Sequence, residues 1–139
     1  METDNASWNG FRMMFRIAAW YDIVLGFLFF FFWKQILVSL GVPLPENTSY
    51  LHLATAYIFT QGVSYWFVSR DMLRNIDMVK VGVIYKAIYV GLAIYYVAIG
   101  QLPHMVFAWF AVFDLIFLLL FVRFLTKTGS VSAPAHASG

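Results

Sequence analysis

The chain has 139 residues, of which 62% are hydrophobic, 20% aromatic and only 12% charged, and its formal net charge is +2. Together with a mean hydropathy of +0.76, this composition predicts a polytopic membrane protein and leaves no stretch for a soluble domain. The absence of cysteine excludes disulfides, thiolate metal sites and a cysteine nucleophile.

The N-terminal segment, residues 1–16, is polar at its start and then carries an aromatic stripe. Trp8, Phe11 and Phe15 recur at positions i, i+3 and i+7, a spacing that is typical of a short interfacial helix and equally of the first turns of a membrane span. About 20 apolar residues are needed to cross roughly 30 Å of hydrocarbon. We therefore predict a first span over about 17–38.

Three further apolar stretches follow, separated by helix-breaking or charged segments. Gly, Pro and Asn mark turns within 40–49 and 100–103, and a charged connection covers 69–77. The predicted fold class is all-α, a four-transmembrane-helix bundle that forms a single membrane domain over residues 17–127. A small-residue tail at 128–139 has too little apolar surface to fold alone. The later spans are predicted at about 50–68, 78–99 and 104–125.

Basic residues near the span ends predict the orientation of the bundle. All but Lys34 fall on one side of an even-numbered topology, which the positive-inside rule assigns to the cytoplasm. Both termini are therefore expected to be cytoplasmic. The residues on that side are Arg12, Arg16, Arg70, Arg74, Lys80, Arg123 and Lys127.

Each predicted span carries one polar or charged residue at a similar estimated depth, namely Asp22, Gln61, Lys86 and Asp114. A charged side chain at the bilayer centre costs at least ~2.5–3.5 kcal/mol, so such residues need a partner or a function. Small residues flank the four positions at helical spacing, which favours faces that point into the bundle. Three tyrosines on the same stripes are possible hydrogen-bond donors: Tyr57, Tyr65 and Tyr89.

This polar layer has two main interpretations. A buried cluster of Asp22, Lys86 and Asp114, with Gln61 nearby, would hold one excess negative charge and could handle a proton or accept a cationic ligand. The simpler alternative is that the layer only holds the helices together. Lys86 weakens the first interpretation, because its side chain leans toward the cytoplasmic end of its helix and could snorkel to the surface.

Other candidate sites are weaker. His52 and His104 open the second and fourth spans and could share a metal or haem, although interfacial histidines are more often simply solvated. The sequence requires no cofactor and contains no phosphate loop, no paired-histidine zinc motif and no basic stripe for nucleic acid. Asp22 with Asp114 is the only candidate catalytic pair, so an enzyme is the minority interpretation. The expected partners are membrane lipids and other membrane subunits, or further copies of the chain.

A set of short elements lies along the predicted spans: Ala19-Trp20-Tyr21-Asp22 with Gly26, Gly62-Val63-Ser64-Tyr65 leading to Arg70-Asp71-Met72-Leu73-Arg74, Gly82 with Lys86, and Asp114. With these elements, the span pattern resembles small four-helix bacterial integral membrane proteins of uncharacterised function. This resemblance implies four helices and a location in the bacterial inner (plasma) membrane, and it implies no activity.

The favoured function is a non-catalytic accessory or assembly subunit of a larger membrane complex. The alternatives are a carrier or binding protein for a lipophilic or cationic small molecule, or a proton-handling redox protein.

Overall fold

The computed structural model describes residues 2–132, and this part of the chain is entirely helical apart from its turns. The first five residues of the predicted tail continue the last helix, and residues 133–139 lie outside the described part. The all-α prediction is therefore confirmed for these residues. The five helices are α1 (Glu2–Phe31), α2 (Trp33–Ser39), α3 (Ser49–Arg70), α4 (Ile76–Ala98) and α5 (Met105–Ser132).

Three stretches of these helices are long and apolar enough to cross a membrane: Asp4–Phe31, Ile76–Ala98 and Met105–Ser130. They lie in α1, α4 and α5, and they agree with the prediction of a membrane protein. The 22-residue α3 matches the bounds of the predicted second span, but its Thr, Gln, Ser and Tyr residues make it less apolar than the other three.

The first predicted span is divided between two helices. Residues 2–16 are continuous with the rest of α1, so the aromatic stripe belongs to the long first helix. At Phe32 the backbone leaves helical geometry, with φ −116° and ψ 19°. Its amide still donates to the Leu28 carbonyl at 2.8 Å, and its carbonyl accepts from Ile36 at 3.0 Å. The chain therefore bends at Phe32 without reversing. Neither proline nor glycine lies at this point, so the composition gives no signal for the bend.

Two helices end in the same glycine-dependent turn. Gly41 and Gly100 have φ values of 67° and 68°, in the left-handed region that glycine adopts without a steric penalty. After α4, the Gly100 amide donates to Val97 and the Gln101 amide donates to Tyr96, at 3.1 and 2.9 Å. This pair of bonds is the Schellman arrangement that satisfies the last carbonyls of a helix. Both turns lie where the sequence predicts a break.

Glycines bring α1 and α3 into backbone contact as an antiparallel pair. A Cβ atom at Gly26 would lie 2.6 Å from the Phe59 amide nitrogen, and one at Gly62 would lie 2.6 Å from that of Ile23. Small residues allow this approach between membrane helices. The second antiparallel pair, α4 and α5, packs against the first largely through large side chains.

An aromatic core fills the half of the bundle that includes the N-terminal part of α1. Phe15, Phe121 and Phe124 are fully buried, and the Phe15 ring lies 5.0 and 5.1 Å from the rings of the other two. Edge and tilted contacts of this kind fill space densely. The two helix pairs are thus joined firmly at this end. At the opposite end they diverge around a cavity.

Candidate functional site

An ion cluster at the middle of the bundle joins three helices. The Lys86 ammonium on α4 lies 2.6 Å from Asp114 Oδ1 on α5 and 3.4 Å from Asp22 Oδ2 on α1. All three side chains are buried, with Lys86 fully enclosed. The structure therefore brings together the three charged members of the polar layer. When all three are ionised, the cluster holds one excess negative charge.

Lys86 does not reach the surface. Its ammonium lies over three aromatic rings, at 5.3 Å from the centroid of Tyr65, 5.6 Å from Tyr85 and 5.4 Å from Phe117. A cation over a ring face is attracted by the ring quadrupole, and the attraction strengthens away from water. The snorkelling alternative is therefore wrong for this lysine, because the carboxylates and the rings hold its charge inside the bundle.

Gln61 lies apart from the ion cluster although it is buried. Its amide nitrogen donates to the Tyr57 hydroxyl at 2.8 Å, and its carbonyl oxygen accepts from the Ser64 hydroxyl at 3.0 Å. Both partners belong to α3 itself. The Tyr57 ring, which is half exposed, packs on Tyr85 at 5.2 Å between centroids. Tyr57 and Gln61 therefore form a separate polar pair, and the Tyr85 ring lies between this pair and the Lys86 ammonium.

The other tyrosines surround the charges in different ways. Tyr65 is fully buried, and its hydroxyl has no hydrogen-bond partner within the described residues. A Cβ atom at Gly82 would lie 2.7 Å from the Tyr65 ring, so only glycine leaves room for this ring beneath Lys86. Tyr89 donates a long bond of 3.4 Å to the Phe107 carbonyl.

Two further tyrosines near the cluster were missed by the sequence analysis. Tyr21 packs on Phe113 and Phe117 on α5, and its buried hydroxyl also lacks a partner in the described part of the chain. Tyr85 lines a cavity that borders Asp22 and Asp114. Both lie three residues after a small residue on an inward face, Ala18 or Gly82, and this spacing is a signal that could have identified them.

A cavity of about 380 Å³ opens from the ion cluster toward the end of the bundle where α1 meets α2. Asp22 and Asp114 lie at its deep end beside Tyr85 and Tyr89. The rest of the wall is mostly apolar and comes from α1, α2, α3 and α5, including Leu25, Phe29, Leu37, Leu51, Ile58, Phe107 and Phe110. Pockets of this size with a few convergent polar groups are typical of small-molecule sites. The arrangement can hold an apolar body and present carboxylate oxygens to a donor or cation.

The two candidate histidines lie outside this cluster. His52 packs against the rings of Phe30 and Trp33, at 4.9 and 6.3 Å between centroids. His104 Nδ1 accepts a 3.0 Å hydrogen bond from the Val106 amide at the start of α5. Among the described residues, no group of three or more His, Asp or Glu side chains could hold a metal ion.

Comparison with known proteins adds no assignment: no protein family, no curated protein and no solved structure matches this chain. The resemblance to small bacterial four-helix proteins therefore stays a prediction.

Proposed function

We propose that this protein is an integral membrane protein that binds a lipophilic small molecule carrying a cationic or hydrogen-bond-donating group. The observation that carries the proposal is the 380 Å³ cavity, whose apolar walls end on the carboxylates of Asp22 and Asp114. The apolar body of the ligand would replace lipid or empty space in the cavity. Its polar group would meet these two carboxylates, which are the charged groups among the described residues of the wall.

The net charge of the ion cluster favours a ligand whose polar group is an amine over one whose polar group is a carboxylic acid. One ammonium, that of Lys86, faces two carboxylates, so an additional positive charge would balance the buried cluster. Unbalanced charge is costly in a low-dielectric environment. A carboxylate ligand would add a second excess negative charge, and we expect it to be excluded.

The cavity is closed by aromatic side chains on one side of the ion cluster. Below the ion cluster, the fully buried rings of Tyr65 and Phe121 pack at 5.1 Å between centroids, and the aromatic core continues beyond them. Above it, Leu37, Tyr50 and Leu51 belong to the opposite rim. The ligand is therefore proposed to enter and leave from that rim, which makes the protein a binding protein or a carrier that loads from one side.

The proposed topology has four spans with both termini in the cytoplasm of a bacterial inner membrane. Its support is the backbone contact of α3 with α1 through Gly26 and Gly62, which gives the less apolar α3 a helical partner at membrane depth. Two of the basic residues predicted to be cytoplasmic, Arg12 and Arg70, also line one groove at the end of the bundle opposite the cavity rim. The rim would then face outward.

An accessory subunit of a larger membrane complex is the second proposed function. It is supported by a groove of about 380 Å³ between α4 and α5, lined by alanine and branched aliphatic residues, on which a transmembrane helix of another subunit could pack closely. Native mass spectrometry after gentle extraction from the host membrane separates the two proposals. Partner masses at fixed stoichiometry would favour the subunit, and a retained small-molecule mass would favour the binding protein.

Titration of the purified protein with decylamine and decan-1-ol tests the binding proposal. Decylamine should raise the unfolding temperature more than decanol at equal concentration, because a ligand stabilises the state it binds. Ala54→Leu, which fills part of the cavity, should weaken decylamine binding at least tenfold. Ala87→Leu makes the same change on an exposed face of α4 outside the cavity and should leave binding unchanged. Equal responses of these two variants, or equal binding of amine and alcohol, would contradict the proposal.

A further inference from the structure

A second concave site lies at the end of the bundle opposite the cavity rim. This groove of about 330 Å³ lies between the start of α1 and the turn that follows α3. Six residues line it: Trp8, Arg12, Arg70, Asp71, Met72 and Leu73. The groove shares no lining residue with the cavity, so its occupant is independent of the ligand proposed above.

Two guanidinium groups give the groove a net positive charge. The side chains of Arg12 and Arg70 form no ion pair or hydrogen bond within the described residues, and both residues are exposed. Asp71 is the one acidic group among the described residues that line it, and its Oδ1 accepts a 3.1 Å bond from the Arg74 amide. Two guanidinium groups and one carboxylate leave a charge of +1, which matches a single phosphodiester.

The remaining wall is apolar. Met72 is buried and Leu73 is largely exposed, while Trp8 lies beneath the Lys127 ammonium at 5.1 Å. The Lys127 ammonium donates to the Ser7 hydroxyl at 2.7 Å and lies 3.8 Å from Asp4, so its charge is largely offset by that carboxylate. Tryptophan and basic residues together are typical of the level of lipid head groups.

We propose that this groove binds the head group of an anionic phospholipid, with the phosphodiester between Arg12 and Arg70 and the start of the acyl chains against Trp8 and Leu73. Guanidinium groups recognise phosphate oxygens through paired, charge-assisted hydrogen bonds. The apolar wall would be left exposed by a free phosphate ion, whereas a lipid covers it. This argument favours the lipid over a soluble anion.

Native mass spectrometry of the full chain in detergent, titrated with phosphatidylglycerol or phosphatidylcholine of equal acyl length, tests the proposal. The wild type should bind one phosphatidylglycerol more tightly than phosphatidylcholine. Removing both guanidinium groups, as Arg12→Ala with Arg70→Ala, should weaken phosphatidylglycerol binding by roughly tenfold or more. The matched control, Arg16→Ala with Arg123→Ala, removes the same charge from exposed positions outside the groove and should keep the wild-type affinity.

Three results would overturn the proposal. The first is equal phosphatidylglycerol affinity in the two double variants, given unfolding temperatures equal to that of the wild type. The second is equal affinity of the wild type for the two lipids. The third is displacement of the lipid by millimolar inorganic phosphate, which would show that the site recognises a soluble anion.

Discussion

Gly62→Ala tests the helix contact that positions Asp22 in the bundle. The added methyl group would lie 2.6 Å from the Ile23 amide nitrogen, 2.7 Å from its Cγ1 and 2.8 Å from the Ala19 carbonyl oxygen. Two of these three atoms belong to the backbone of α1 and cannot rotate away. Asp22 lies between Ala19 and Ile23 on the same turn, so a displacement of α1 there also displaces the carboxylate.

The size of the effect follows from these distances. Non-bonded carbon contacts are favourable only from about 3.5 Å, so the two helices must separate by nearly 1 Å or distort. Overpacking of a close-packed interior costs roughly 1–3 kcal/mol. Replacing glycine by alanine within a helix returns up to about 1 kcal/mol through helix propensity. We expect Gly62→Ala to lower the free energy of unfolding by about 0–2 kcal/mol, which makes the variant about 1–3 kcal/mol less stable than one with a glycine-to-alanine change in a helix without such a contact.

Gly91→Ala is the matched control because both glycines lie inside helices. No atom lies within 4 Å of a Cβ atom at Gly91, so this substitution should be neutral or stabilise the protein by up to about 1 kcal/mol. Unfolding in mixed micelles of increasing SDS content, followed by far-ultraviolet circular dichroism, measures both variants. A Gly62→Ala protein as stable as Gly91→Ala would refute the close contact between α1 and α3.

Five further substitutions test the ion cluster and two neighbouring tyrosines by the same unfolding measurement. Lys86→Met leaves two buried carboxylates without their cation and should destabilise the protein by about 3 kcal/mol or more; a loss below 1 kcal/mol would contradict the pairing. Asp114→Asn should cost about 1.5–3 kcal/mol, because it weakens the 2.6 Å charge-assisted bond. Asp22→Asn should cost less, because its oxygen lies farther from the ammonium, at 3.4 Å; the reverse order would be inconsistent with this geometry. Tyr65→Phe removes a buried hydroxyl that has no partner among the described residues and should be neutral or stabilising. Tyr57→Phe breaks the bond to the Gln61 amide and should destabilise by about 1 kcal/mol; equal effects would argue against the assigned bonds.

The helices could be predicted from the sequence more completely than the way they pack. Helix breaks at Gly41 and Gly100 follow from local chemistry, and the structure has them there. The bend at Phe32 has no such signal, because it lies at the end of a run of phenylalanines, with neither glycine nor proline within five residues. Likewise, the stripe of Phe11 and Phe15 predicts an apolar face on the first helix but does not predict which residues pack against it. Its partners on α5 are over 100 residues away in the chain.

The cavity could not be predicted from the sequence, for a different reason. A pattern of apolar residues identifies faces that are buried, but empty space depends on how large side chains from several helices fit together. Tyr65 and Phe121 fill the bundle on one side of Lys86, while Tyr85, Phe107 and Phe110 on the other side leave about 380 Å³ open. Both sides are rich in aromatic residues, so composition does not distinguish them.

Depth and charge together explain which members of the polar layer meet. Gln61 lies at a depth similar to that of the charged residues, yet its amide is satisfied by Tyr57 and Ser64 on its own helix, four residues before it and three after it. A neutral amide needs only hydrogen bonds, and neighbouring side chains on one helix can supply them. Asp22 and Asp114 have no basic residue within four positions in the chain, and Lys86 has no acidic one. Their charges can be compensated inside the bundle only across helices, and this requirement brings α1, α4 and α5 together at the deep end of the cavity.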